Sequence, residues 1–204
     1  MSDDNLRFLV VCTGNICRSP LAEQVLRAET VAWPVILESA GTQALEGHSM
    51  ETESRIQSES FGGLGCESHL ARQLLPSQIR AADVIIALTR EHRREIVSMV
   101  PRASRLTFTL RELGRLLPLL TDRDYVEIVS RGDASARDRL LMMFELCASL
   151  RGSTVRLERP EDDDVVDPYG RDREVYAQAT AQMLPAISVI SASMTSALGL
   201  PLER

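Results

Sequence analysis

Short apolar runs alternate with amphipathic stretches along most of the chain. Arg7–Cys12 (RFLVVC) is apolar and ends at a glycine-containing turn, the pattern of a buried strand. Ser19–Thr30 carries Pro20 near its first position and apolar residues at Leu21, Val25, Leu26 and Ala28, which predicts a helix. Val35–Ser39 is a second short strand, closed by Ala40-Gly41. Met50–Ser60 is a polar helix running into the turn Gly62-Gly63-Leu64-Gly65. Asp83–Leu88 (DVIIAL) is short, continuous and apolar, as a strand covered on both faces should be. A charged helix over Arg90–Val100 stops at Pro101, and Ser104–Leu110 can supply a fourth strand. A last helix begins near Arg173 with Val175, Ala179, Met183 and Ile187 on one face.

Strands alternating with helices predict an α/β fold, a central four-stranded parallel sheet with helices on both faces. Ligands in such sheets sit beyond the carboxyl ends of the strands, and Cys12 lies at that place. Between Leu110 and Asp164 the pattern changes. Leu110–Leu120 and Ala134–Leu150 read as two amphipathic helices separated by TDRDYVEIVSRGD, followed by the polar run ERPEDDD. The reading is one domain over residues 1–204 with a helical insertion at about 110–163; a small helical subdomain is the alternative.

Composition narrows the function. The 204 residues are 44% hydrophobic and 25% charged, ordinary for a globular protein. A net charge of −6 argues against a nucleic-acid partner gripped by a basic face, yet leaves room for a local positive pocket. The acidic start Met1-Ser2-Asp3-Asp4-Asn5 lacks the features of a signal peptide. The richest apolar stretch, Met183 to Leu200, is interrupted by Pro185 and several serines, so no membrane partner is expected. Four cysteines without paired spacing fit a reducing compartment. The expectation is a cytoplasmic protein; the sequence sets no oligomeric state.

The chemistry is concentrated in CTGNICRSP, Cys12 to Pro20. If this is a strand end, a loop and a helix start, the amides of Thr13, Gly14, Asn15, Ile16, Cys17 and Arg18 can turn inward as a nest for phosphate or another tetrahedral oxyanion. Arg18 adds a bidentate fork matched to two phosphate oxygens. The same dipoles favour the thiolate form of Cys12 and aim it at phosphorus. Gly14 and Asn15 suit backbone positions with positive φ. Cys12 could instead be a small packing residue. A zinc site finds no second half among Cys66, Cys147 and the histidines, and Cys12 and Cys17 are too far apart in sequence for a Cys-x-x-Cys redox pair. No metal or cofactor is implied.

This stretch resembles the active-site loop of the low-molecular-weight protein tyrosine phosphatase family, C-x-G-N-x-C-R-S-P. The resemblance extends to ESAGT (Glu38–Thr42), SHLARQL (Ser68–Leu74), DVIIAL and DPYG (Asp167–Gly170), in family order. It implies the flavodoxin-like fold of that family and hydrolysis of phosphotyrosine in protein substrates through a cysteinyl phosphate on Cys12. It implies that Arg18 and the loop amides hold the phosphate oxygens, and that Ser19 stabilises the leaving thiolate. Ser39 and His69 fall at positions that brace the loop through Asn15; from the residues alone they read more simply as a turn serine and a surface histidine.

A leaving phenolate also needs a proton donor from outside the loop. The run EDDDVVDPYG offers several carboxylates. Asp167 is the candidate, because Pro168 restricts its backbone, Tyr169 can wall a cleft, and the position matches the acid of the resembled family; Asp164 is the runner-up. The segment around Gly47-His48-Ser49 departs from the family pattern and borders the expected cleft, with His48 on it. Cys17 is either a packing residue or a partner that condenses with an oxidised Cys12. Two other functions compete with the phosphatase: a thiol-coupled arsenate reductase, which needs further cysteines such as Cys66 and Cys147 for its relay, and a non-catalytic phosphate-binding module.

Overall fold

The computed structural model describes residues 4–152 and 157–201. Four parallel strands form the sheet, β1 (Leu6–Cys12), β2 (Val35–Gly41), β3 (Val84–Ala87) and β4 (Thr107–Thr109), in the order β2-β1-β3-β4. This is the expected α/β architecture. β1 lies between β2 and β3, with Val11 opposite Ala40 and Ala87 and Cys12 opposite Gly41. The carboxyl ends of three strands are therefore level beside Cys12. Gly41 allows that convergence: a Cβ there would collide with the Thr13 carbonyl oxygen.

Alternation along β1 sends its side chains to two cores. Leu9 and Val11 pack with Ile79 of α3 (Pro76–Ala81) and Ile96 of α4 (Arg90–Met99). Leu6, Phe8 and Val10 join a larger cluster with α1 (Arg18–Glu29), α5 (Leu110–Leu116), α7 (Ala136–Ser149) and α8 (Arg173–Leu198). α2 (Thr52–Ser60) packs outside α1 and α8. The Phe8 and Phe144 rings meet edge to face at 5.4 Å and 78°, so α7 lies directly on β1. The segment between β4 and Asp164 thus shares one continuous core with the sheet.

The elements differ from expectation in places with physical causes. The fourth strand is only Thr107–Thr109, because Pro101–Leu106 is wound into a 3₁₀ helix. The helix expected over Leu110–Leu120 stops at Leu116; Leu117–Leu119 is 3₁₀, with Pro118 inside it unable to donate to the preceding turn. The stretch expected to separate two helices is itself a helix, α6 (Asp122–Ser130), started by a reciprocal cap between Thr121 and Asp124. Pro185 does not interrupt the last helix. α8 runs through it, with Met183, Ala186 and Ile187 buried on either side. By length and composition α8 could cross a membrane, but one side of it is packed into the core.

At Gly114 α5 approaches α8 closely. A Cβ there would lie 2.8 Å from the Ala186 Cβ and 3.0 Å from its Cα. In an exposed helix Gly→Ala stabilises by about 1 kcal/mol. Here the added methyl meets backbone, and overpacking costs about 1–3 kcal/mol. Gly114→Ala should lower the midpoint of urea unfolding at unchanged m-value; a raised midpoint would show that the two helices separate freely.

Candidate active site

Cys12 ends β1, and the loop to α1 is shaped by its outward contacts. The carbonyl of Cys12 accepts from Thr42 N (2.9 Å), that of Thr13 from Gln43 N (3.0 Å), and that of Gly14 from Leu45 N (3.1 Å). His69 Nε2 lies 2.7 Å from the Asn15 carbonyl, Glu51 N donates to Ile16 (2.8 Å), and Leu21 N donates to Cys17 (3.3 Å). Every carbonyl from Cys12 to Cys17 is thus engaged by the scaffold, leaving the amide side of the loop for the cavity. The turn needs one left-handed residue, and Asn15 takes it at φ 55°, the one positive φ at a non-glycine position among the described residues.

Hydrogen-bond polarity runs through Asn15 in a single direction. Its Oδ1 accepts from Arg72 N at 2.9 Å, which fixes the amide so that Nδ2 faces the serines. Nδ2 donates to Ser39 Oγ and Ser19 Oγ, both at 2.9 Å. Ser39 in turn donates to the carboxylate of Glu23, which Arg27 also pairs. Ser19 Oγ has accepted one bond and lies 3.0 Å from Cys12 Sγ. Its proton is left for the sulfur, the polarity a thiolate requires.

Arg18 begins α1 with only 4% of its surface exposed. Nη1 donates to the Val165 carbonyl at 3.2 Å and Nη2 pairs with Asp167 Oδ2 at 2.7 Å, while the buried Nε has no protein partner. The other aspartates of the run point elsewhere. Asp162 pairs with Arg159 at 2.8 Å, Asp163 with Arg115 at 3.0 Å, and Asp164 grips both the backbone N and the guanidinium of Arg90. Asp167 is the member of the run that reaches the cavity. That cavity, about 140 Å³, is lined by Cys12, Thr13, Gly14, Ile16, Cys17, Arg18, Gln43, Leu45, Asp167 and Tyr169.

Ser39 and His69 both contact Asn15, and Tyr169 stands at the cavity's edge. His48, expected at the cleft, is exposed and does not line the cavity; Gln43 and Leu45 of the same segment do. That segment turns at Leu45, whose carbonyl accepts from His48 N, so the two side chains part. Cys17 is buried with Ile16, Ala71 and Tyr176, and burial pushes its thiol up to about 12. Cys147 lies in the main core and Cys66 contacts Ser58; neither borders the cavity. Among the described residues no three His, Cys, Asp or Glu side chains converge as metal ligands would.

Several contributing residues were not anticipated. Glu23 and Arg72 complete the Asn15 network; Glu23 lies four residues after Ser19, on the same helix face, which is the one sequence signal for it. His92 is 4% exposed, with Nε2 2.9 Å from Thr13 Oγ1 and Nδ1 3.0 Å from Thr89 Oγ1. Burial first, and then the Arg18 charge, lower its pKa to about 4, with Asp164 opposing.

Residues 7–115, just over half of the chain, match the family described as low molecular weight phosphotyrosine protein phosphatase. The chain belongs to that family. Its relatives include the probable low molecular weight protein-tyrosine-phosphatase EpsP of Ralstonia nicotianae, 37% identical over 106 residues, 52% of this chain and 71% of that one. The protein-arginine-phosphatase of Geobacillus stearothermophilus is 35% identical over 106 residues, 52% of this chain and 70% of that one. In three dimensions, the YwlE arginine phosphatase of the same organism covers 98% of this chain and 99% of its own at 26% identity, with a TM-score of 0.64. The low molecular weight protein tyrosine phosphatase of T. tengcongensis gives a TM-score of 0.61 at 26% identity, covering 91% and 97% of the two chains. The matched residues end within α5, near the start of the helical segment between β4 and Asp167.

His92 links this phosphatase scaffold to pH. The folded imidazole takes a proton only near pH 4, the unfolded one near 6.5. Between those values the unfolded state binds more protons, so stability falls as pH falls, by up to about 3 kcal/mol across the window. Urea unfolding of His92→Gln between pH 6.5 and 4.5 should show a shallower decline than the wild type; equal slopes would remove His92 as the cause.

Proposed function

We propose that the protein hydrolyses phosphate monoesters of phenolic hydroxyls, phosphotyrosine in protein substrates, through a cysteinyl phosphate. The observation carrying this reading is the convergence of Cys12, Arg18 and Asp167 on one cavity. Phosphate seated over the loop amides takes up the Arg18 fork, in competition with Asp167. Cys12 Sγ attacks phosphorus opposite the ester oxygen; the S–P bond forms as the P–O bond breaks. Loop amides and Arg18 hold the equatorial oxygens, where transition-state charge gathers. Asp167, released from Arg18, takes up a proton from solvent and gives it to the oxygen of the leaving phenolate. Water then attacks phosphorus, Asp167 takes a proton from it, and the S–P electrons return to a thiolate that Ser19 stabilises.

Phosphoarginine is the second reading, supported by the likeness to the arginine phosphatase of Geobacillus stearothermophilus. The cavity walls weigh toward an aryl ring. Ile16, Leu45 and Tyr169 are apolar or aromatic, and the one carboxylate among the lining residues is Asp167, already bound to Arg18. A guanidinium leaving group finds no other anion there. Arsenate reduction by a cysteine relay is disfavoured by the burial of Cys147 and Cys66 away from the cavity.

Turnover of para-nitrophenyl phosphate should survive metal chelation. Cys12→Ser should abolish it while inorganic phosphate still binds, because the amides and Arg18 remain. Arg18→Ala should weaken phosphate binding and lower the rate by about 10²–10³-fold, as loss of an oxyanion donor does. Turnover retained by Cys12→Ser would exclude the covalent route. A phosphotyrosine peptide should be cleaved faster than a phosphoarginine peptide; the reverse order would transfer the assignment to the second reading.

A further inference from the structure

The strand-like arm that carries Asp167 is tied down at nearly every peptide group. Asp164 O accepts from Arg111 Nη1 at 3.2 Å, and the Asp164 side chain is gripped by Arg90. Val165 N donates to the Leu88 carbonyl at the end of β3 (2.9 Å), and Val165 O accepts from Arg18. Val166 N donates to Gln182 Oε1 of α8 at 2.8 Å. One residue earlier in the arm, Asp163 receives Arg115 on both oxygens, at 3.0 and 3.3 Å. Arg111 and Arg115 sit one turn apart on α5, at the start of the segment between β4 and the acid. By contrast, the Asp167 side chain itself is half exposed, its carboxylate held by the Arg18 pair and the nearby Tyr169 N at 3.2 Å.

A half-exposed carboxylate on a surface loop would ordinarily sample many positions, whereas proton transfer requires hydrogen-bond reach of the leaving oxygen. Once phosphate takes Arg18, the aim of Asp167 depends on the arm behind it. We propose that Arg111 and Arg115 of α5 and Gln182 of α8 are positioning residues that aim Asp167 at the leaving-group oxygen. None of them lines the cavity, and they act through the Asp163 carboxylate, the Asp164 carbonyl and the Val166 amide. This rests on Asp167 being the proton donor, as proposed above. The helical segment then has a role in the chemistry: it replaces a free loop with an arm fixed to two helices and the end of β3.

Misdirected acid has a signature that loosened structure lacks. A poor leaving group such as phenolate, about as basic as tyrosinate at pKa ~10, needs the proton far more than para-nitrophenolate does. General acid catalysis supplies about 10²–10⁴-fold, and a displacement near 1 Å forfeits a large part of such an effect. The measurement is kcat/KM, which reports the first chemical step, for phenyl phosphate and para-nitrophenyl phosphate. The variants are Arg111→Met/Arg115→Met, Gln182→Met, Gln182→Glu and Asp167→Asn in the full chain. The double arginine variant and Gln182→Met should each lose about tenfold more on phenyl phosphate than on para-nitrophenyl phosphate. Gln182→Glu keeps an acceptor for Val166 N and should recover most of the difference. If the arginine pair variant does not fold, the two Gln182 variants carry the comparison. Equal losses on both substrates in the clamp variants, beside a leaving-group-dependent loss in Asp167→Asn, would overturn the clamp alone. An Asp167→Asn variant indifferent to the leaving group would overturn the acid assignment, and the clamp with it.

Discussion

A guanidinium that is 4% exposed must be paired, because an isolated buried charge costs several kcal/mol. Arg18 meets that demand with Val165 O and Asp167, the first of them 147 residues away. Much of the molecule's layout serves this pairing. β1 and the start of α1 place Arg18 under the loop; β3 ends beside them, and its Leu88 carbonyl takes the Val165 amide. The sheet register therefore sets where the Asp167 arm crosses Cys12. A shift of β3 against β1 would move Asp167 relative to Cys12 without touching either residue.

The second constraint is that loop amides can face inward only if the carbonyls find partners outside. The scaffold supplies them from residues 42–51, from His69 and from α1 itself. Asn15 then serves twice, through its left-handed backbone and through an amide whose orientation is set by Arg72 N. Glu23 and Arg72 N are the two groups that leave no choice of direction: a carboxylate only accepts here, and an amide N–H only donates. Between them the proton of Ser19 is directed at Cys12. The loop is thus preorganised by polar groups that lie behind it, out of reach of any substrate.

What the sequence disclosed follows from how local each feature is. Cys12, Asn15, Arg18, Ser19 and Pro20 lie within nine residues, and their chemistry can be read without a fold. The first three strands were equally legible, since each contains a short apolar run, whereas the fourth is only Thr107–Thr109 of the expected Ser104–Leu110. Glu23, Arg72 and His92 were hidden because their roles exist only across elements; His92 looks like any polar residue in the first turn of a charged helix. α6 was hidden because its composition is polar and only Ile128 is buried. Pro185 was misleading because the rule against interior proline concerns an unsupported helix, and α8 is packed along its buried face by α1, α5, α6 and α7. His48 was misplaced by one turn of backbone, a resolution that residue spacing does not have.

The net charge of −6 runs counter to the proposed site for a phosphate dianion, and the acid run beside it more so. Each aspartate of that run, however, has its own arginine: Asp162 with Arg159, Asp163 with Arg115, Asp164 with Arg90, and Asp167 with Arg18. Near the cavity the run is a series of closed dipoles, whose fields fall off faster than those of free charges. Charges elsewhere on the surface are screened over about 8–10 Å in physiological salt. Donors within about 3 Å then decide the local potential, and in the cavity those are the loop amides and Arg18. In the proposed mechanism phosphate reaching Arg18 opens the one pair of the four that holds Asp167, so that substrate binding and release of the proposed proton donor are one exchange of partners on a single guanidinium.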